Sequence, residues 1–271
     1  MKVAAIQMVS GTQRDDNLRA ARILLEQAAR SGAELAVLPE YFCMMGHRDT
    51  DKLAWREPEG DGVIQRFLAD AARSLQIWIV GGTLPMQTTA PDRVRNTTLV
   101  FDPAGTCVAR YDKIHLFCFD NGQESYHEGR IIEAGHLPVQ FDLTARDGHR
   151  WRVGLSVCYD LRFPELYRAH ARAGADLLLV PSAFTHTTGE AHWEVLLRAR
   201  AVENLAYVLA PAQGGHHENG RRTWGHSMLV DPWGTVLAQQ GEGAGVVTGD
   251  LSAEHLRNVR TQLPALAHRV L

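Results

Sequence analysis

Three reactive side chains stand where expected strands end. Glu40 closes LAVLPE, Lys113 ends the return arm of a hairpin in RYDKIH, and Cys158 closes the strand-like run in GLSVCYDLRFPELY. A carboxylate, an ammonium and a thiol together suffice for acyl chemistry. A thiol of pKa ~8.5 is only a few per cent ionised at neutral pH, so a nucleophilic cysteine needs a base, a cation or a helix N-terminus beside it. Glu40 is the candidate base and Lys113 the candidate cation, and a helix expected from about Phe163 would add its dipole.

With an amide substrate the steps follow. Cys158 attacks the carbonyl while Glu40 takes its proton, and Lys113 and a backbone N–H, that of Tyr159, hold the oxyanion. Glu40 then protonates the leaving amine, and a water activated by Glu40 releases the acid from the thioester. An ammonium ~4 Å from an oxyanion gains roughly 4 kcal/mol at an effective dielectric of about 20, which is about a thousandfold in rate. Taken singly, each residue also has a structural reading: a small core thiol, a solvated loop carboxylate, a surface ammonium.

The elements that must position these groups are short apolar runs alternating with helical patterns, as in α/β proteins. KVAAIQMV is followed by a stretch in which Leu18, Ala21, Leu25 and Ala28 share one helical face. AELAVLPE, a helix from about Gly62 to Leu75, IWIVGGTL and a hairpin turning at Asp102, Pro103 and Gly105 come next. The second half repeats this order: RVGLSVC, a helix opened by Pro164, ADLLLVPSA, a helix around His192 to Asn204, AYVLAPAQ and GHSMLVDPWGTVLAQQ. AELAVLPE parallels ADLLLVPSA, and FDPAGTCVA parallels VDPWGTVLA. The expectation is a single α/β domain over 1–271, pseudo-symmetric, with two sheets face to face and helices outside both. The segment from about 252 to 271 reads as a helix and tail that docks elsewhere, with a neighbouring subunit as one host.

With 271 residues and 45% hydrophobic content the chain can fill a large core, and a net charge of -3 without any basic run argues against nucleic acid or an anionic membrane as partner. No stretch approaches the ~18 apolar residues of a membrane span, and the N-terminus lacks a secretory pattern. Cys43, Cys107, Cys118 and Cys158 are scattered without a CxxC pair. A cytoplasmic protein acting on a small molecule is the expectation. His216, His217 and His226 do not complete a metal-ligand pattern and read as a solvated or ligand-facing loop, so no metal or cofactor is expected.

LPE at Glu40, YDKIHLF at Lys113 and GLSVCYDLRFPELY at Cys158, in that order, resemble the nitrilase superfamily of carbon-nitrogen hydrolases. The resemblance covers nearly the whole chain. It implies a four-layer αββα sandwich with internal two-fold pseudo-symmetry, a Glu-Lys-Cys triad and a homodimer or larger homo-oligomer. It also implies a second carboxylate after the lysine motif, at Glu128 in YHEGRIIEAG, with Glu124 in GQES the alternative. Many relatives have Ser or Ala after this Glu, where Gly129 stands here. PSAFTHTTGEAHWEVLLRARAVENLAYVLAPAQGG, HHENG and WGHSMLVDPWGTVLA are similar to the Nit branch, which implies amides of 2-oxo acids. Deaminated glutathione, cleaved to 2-oxoglutarate and cysteinylglycine, is the first expectation; 2-oxoglutaramate, the ω-amidase substrate, is the second.

Tyr159, Arg162, Phe184 and Thr185 are the candidate substrate-binding residues. Arg162 is placed to meet a carboxylate, or else to pair with Glu165. The same triad would serve a nitrilase or an N-carbamoyl amine hydrolase, and an idle binding scaffold is the non-enzymatic alternative. A papain-like Cys-His enzyme would make His115 or His186 the base and leave Glu40 and Lys113 unexplained.

Overall fold

In a computed structural model, described over residues 1–120, 122 and 125–270, a seven-stranded and a six-stranded sheet carry the chain's two halves. The first half runs Lys2–Gln7 (β1), Arg14–Arg30 (α1), Leu35–Val37 (β2), Asp51–Ala54 (α2), Val63–Leu75 (α3), Trp78–Val80 (β3), Leu84–Gln87 (β4), Val94–Phe101 (β5), Cys107–Asp112 (β6), Cys118–Asp120 (β7) and Ser125–His127 (β8). The second runs Gln140–Thr144 (β9), Arg150–Leu155 (β10), Pro164–Arg172 (α4), Leu177–Leu179 (β11), His186–Asn204 (α5), Tyr207–Ala210 (β12), Gly214–His216 (β13), Arg222–Trp224 (β14), Met228–Val230 (β15) and Val236–Gln239 (β16). Gly245–Asp250 (β17) and Ala253–Gln262 (α6) close the chain.

The two sheets share one strand order, with β4 an addition on β5 of the first. β1, β2 and β3 are parallel, with β5 and then β6 added antiparallel; β10, β11 and β12 are parallel, with β15 and then β16 added antiparallel. An antiparallel strand flanks each first strand, β17 beside β1 and β9 beside β10. The fold is the four-layer αββα sandwich, because each sheet must bury both faces. Val3 and Ala5 of β1 face Trp151, Val153 and Leu155 of the other sheet, whereas Ala4 and Ile6 meet Leu18, Ala21 and Leu25 of α1. Full burial of a leucine such as Leu25 contributes roughly 1.5–3 kcal/mol, which is why α1 keeps its predicted apolar face.

Helix α5 begins at His186, earlier than the pattern suggests, because the Thr185 hydroxyl accepts from Thr188 N at 3.4 Å and caps it. The helical part of the C-terminal segment docks on its own chain: Leu256 and Val259 are buried, and Arg260 meets Asp176 at 2.8 Å. Among the described residues no helix is long and apolar enough to cross a membrane.

Candidate active site

The three reactive groups sit just past strand ends, where parallel sheets leave a crevice. Glu40 follows β2, Lys113 follows β6, and Cys158 follows β10 at the start of a short 3₁₀ turn, Cys158–Arg162. The LPE turn fits only because residue 82 is glycine. Gly82 has φ +49°, and a Cβ there would run into the Pro39 carbonyl. Gly135 plays the same part behind Lys113: its N–H reaches Lys113 O at 2.8 Å, and a Cβ would strike Asp112 O.

Cys158 carries a left-handed backbone, φ +49°. For a non-glycine residue this costs of order 1–3 kcal/mol, and the surrounding bonds hold it: Cys158 N donates to Pro181 O at 2.9 Å. Asp160 is fully buried; its Oδ2 accepts from Val157 N at 2.8 Å and from the Tyr111 hydroxyl at 2.6 Å, while its Oδ1 accepts from His115 N at 3.0 Å and lies 2.7 Å from His115 Nδ1. The helix terminus nearest the thiol belongs to this 3₁₀ turn. Helix α4 starts at Pro164 with Phe163 as its N-cap, where the sequence expects it, directly after the turn.

Lys113 Nζ lies 2.9 Å from Glu40 Oε1 and 2.8 and 3.0 Å from the two oxygens of Glu128. Glu40 also accepts from Asn96 Nδ2 at 2.9 Å and Ala183 N at 3.0 Å, and it lines the same cleft as the Cys158 thiol. Glu128 accepts from the Tyr41 hydroxyl and from Phe117 N, each at 2.7 Å. Of the two candidates for the second carboxylate, Glu128 meets Lys113; Glu124 lies outside the described residues. A Cβ at Gly129 would meet His127 at 3.7 Å, an ordinary contact, so space alone does not demand glycine there.

Two carboxylates share one ammonium, and this sets the electrostatics. Burial disfavours charge on Lys113, but Glu128 first and Glu40 next outweigh it and hold its pKa well above the usual 10.5. For Glu128, burial is outweighed by Lys113 and the hydrogen bonds, and its pKa falls. Glu40 is raised by burial, against the pull of Lys113. Burial, then the Glu40 charge, pushes the Cys158 thiol well up. A thiolate would add a second net negative charge to a buried site. Burial and the neighbouring carboxylates therefore favour the neutral thiol at Cys158.

Two cavities meet at Cys158. The larger cleft, about 640 Å³ and open to solvent, has Glu40, Glu128, Lys52, Asp49 and Arg221 in its walls. The smaller, about 220 Å³, is lined by Tyr159, Arg162 and Phe184. Cys158 and Thr185 line both. Arg162 does not meet Glu165; its guanidinium lies 5.4 Å from the Phe184 ring and 5.8 Å from that of Tyr159, with Nη1 3.2 Å from His192 Nδ1. His217 is buried between Ser10 O at 2.9 Å and Thr223 Oγ1 at 2.7 Å, so it is part of the packing and not of a solvated loop. Sequence reasoning missed Asn96, whose signal is an amide side chain inside the apolar strand VRNTTLVF, and missed Lys52 and Arg221, which no periodicity marks.

Residues 2–261 match the carbon-nitrogen hydrolase family. The chain belongs to that family. Being a carbon-nitrogen hydrolase, it is an amidase-class enzyme of the nitrilase superfamily. It is 41% identical over 269 residues to the deaminated glutathione amidase of Synechocystis sp. (strain PCC 6803 / GT-S), covering 98% of this chain and 97% of that one. Among solved structures, the carbon-nitrogen hydrolase superposes on the C. elegans NitFhit protein with TM-score 0.89 and 36% identity, covering 99% of this chain and 65% of that chain. It thus spans just under two thirds of NitFhit. Against Saccharomyces cerevisiae Nit3, a member of branch 10 of the nitrilase superfamily, the TM-score is 0.85 at 30% identity, covering 97% of this chain and 94% of that chain.

Proposed function

We propose that this enzyme cleaves deaminated glutathione to 2-oxoglutarate and cysteinylglycine through a thioester on Cys158. The observation that carries the reading is the ammonium of Lys113 held between Glu40 and Glu128, with both carboxylates lining one cleft with the Cys158 thiol.

As sulfur bonds to the amide carbonyl, the thiol proton passes to Glu40. The negative charge that moves onto the carbonyl oxygen meets Lys113 and the N–H of Tyr159, because Cys158 N is already given to Pro181 O. Glu40 hands its proton to the nitrogen, the C–N bond breaks, and the amine leaves. Water then gives a proton to Glu40 and its oxygen to the thioester carbon. The C–S bond breaks, and the proton returns to sulfur. Glu128 keeps Lys113 charged and fixed throughout.

The substrate reading is supported by the likeness to deaminated glutathione amidases. A coupled assay for released 2-oxoglutarate, with 2-oxoglutaramate beside deaminated glutathione, tests it. A higher kcat/KM for deaminated glutathione is expected; a clear preference for 2-oxoglutaramate would assign ω-amidase activity instead.

The same reading proposes a cytoplasmic enzyme that forms a homodimer or larger homo-oligomer. Unpaired, exposed Cys107 and Cys118 suit a reducing compartment. Exposed Val195, Val202 and Trp233 give a second copy an apolar face to cover, and sedimentation of the purified protein measures the assembly.

A further inference from the structure

The two cavities that meet at Cys158 are not equivalent in chemistry. An amide nitrogen leaves only with a proton, and Glu40, the group that carries it, lines the large cleft and not the small pocket. The nitrogen and whatever it bears must therefore lie in the large cleft. The acyl chain is left to the other side, toward Phe184 and Arg162.

The wall of the large cleft holds two cations that share one carboxylate. Asp49 Oδ1 lies 2.9 Å from Arg221 Nη2 and 3.5 Å from Lys52 Nζ. Within this trio one positive charge is left over. Neither cation is loosely held: the Lys52 side chain is only 13% exposed, with Nζ 4.9 Å from the Tyr41 ring centre, and the Arg221 guanidinium lies 5.4 Å from the Tyr126 ring. Arg222 also borders the cleft, but it pairs with Glu242 at 2.7 Å and adds no surplus charge.

We infer that Lys52 and Arg221 form an anion subsite for the leaving group, which selects amides whose amine half carries a carboxylate over primary amides that release ammonia. The inference rests on the proposed role of Glu40 as proton carrier. An amine half such as a dipeptide places its carboxylate several bonds from the scissile nitrogen, which suits a subsite on the cleft wall and not one at the thiol.

The test uses deaminated glutathione, its C-terminal carboxamide and 2-oxoglutaramate, with wild type, Arg221→Gln and Lys52→Met. Wild type is expected to lose roughly ten- to a hundredfold in kcat/KM from acid to carboxamide, the worth of one charge-assisted hydrogen bond. In Arg221→Gln that ratio should collapse toward one. Lys52→Met should shrink it as well, and it supplies the readout if Arg221→Gln does not fold. Equal wild-type rates on acid and carboxamide, or a ratio that survives both substitutions, would overturn the subsite while leaving the amidase reading intact. A ratio abolished by Arg162→Gln instead would reverse the substrate's orientation and overturn it too. Failure of wild type on all three substrates, with Cys158 still alkylating, would overturn the substrate reading and the subsite with it.

Discussion

Asp160 Oδ2 accepts the Tyr111 hydroxyl at 2.6 Å, bonding the strand that delivers Lys113 to the turn that delivers Cys158. The two residues lie 49 positions apart, yet the same carboxylate also holds Val157 N, next to Cys158, and His115 N, two residues past the lysine. Asp160 therefore fixes the distance between ammonium and thiol without touching the reacting atoms.

Asp160→Asn tests this positioning. An amide offers one acceptor oxygen and turns its NH₂ toward a donor, leaving a buried group unpaired at a cost of about 1–3 kcal/mol. Denaturant unfolding should show that loss. Turnover should fall further than substrate affinity, and alkylation of Cys158 should slow. Normal kcat in a destabilised variant would reduce Asp160 to a packing role.

Lys113→Met removes the cation from between two buried carboxylates. Breaking a buried pair on one side costs roughly 3–5 kcal/mol, and Lys113 is in contact with both Glu40 and Glu128. Adding Glu128→Gln to Lys113→Met should return part of the stability, though not the activity, as followed by thermal unfolding and kcat. A stability equal to wild type in the single variant would mean that the lysine's charge is not held by these carboxylates.

The pH profile follows from the directions of the shifts. Glu40 must be ionised to accept the thiol proton, and burial raises its pKa above 4.5, so the acid limb of kcat/KM should lie above 4.5. Lys113 is held well above 10.5 and should not set the alkaline limb. Glu128 is shifted down; its contribution to stability is complete above the unfolded value near 4.5 and is lost as pH falls through the lower folded value. Because the Glu40 charge raises the Cys158 pKa, Glu40→Gln should move the titration of Cys158 alkylation to lower pH. An upward move would contradict the arrangement.

Much of this was legible in the chain. Glu40 and Cys158 end apolar runs, and parallel strands covered on both faces put such ends on one rim; Lys113 ends the hairpin from β5 to β6, which turns where Asp102 and Gly105 predict. What the sequence hid has physical causes. β17, GVVTGD, has two glycines and is mostly half-buried, so it lacks an apolar pattern, yet it pairs along the whole of β1 from the far end of the chain. Ala183 reaches Glu40 through its backbone N–H, which no residue type encodes. Lys52 and Arg221 read as surface charges because their partner Asp49 and the aromatic faces beneath them are assembled only by the tertiary fold.

The most direct measurement is intact-protein mass after acid quenching during turnover of deaminated glutathione, for wild type beside Cys158→Ala. Wild type should carry a 2-oxoglutaryl group that maps to Cys158, and the alanine variant should stay folded, unmodified and inactive. Turnover without an adduct at Cys158, or appreciable turnover by purified Cys158→Ala, would contradict the thioester.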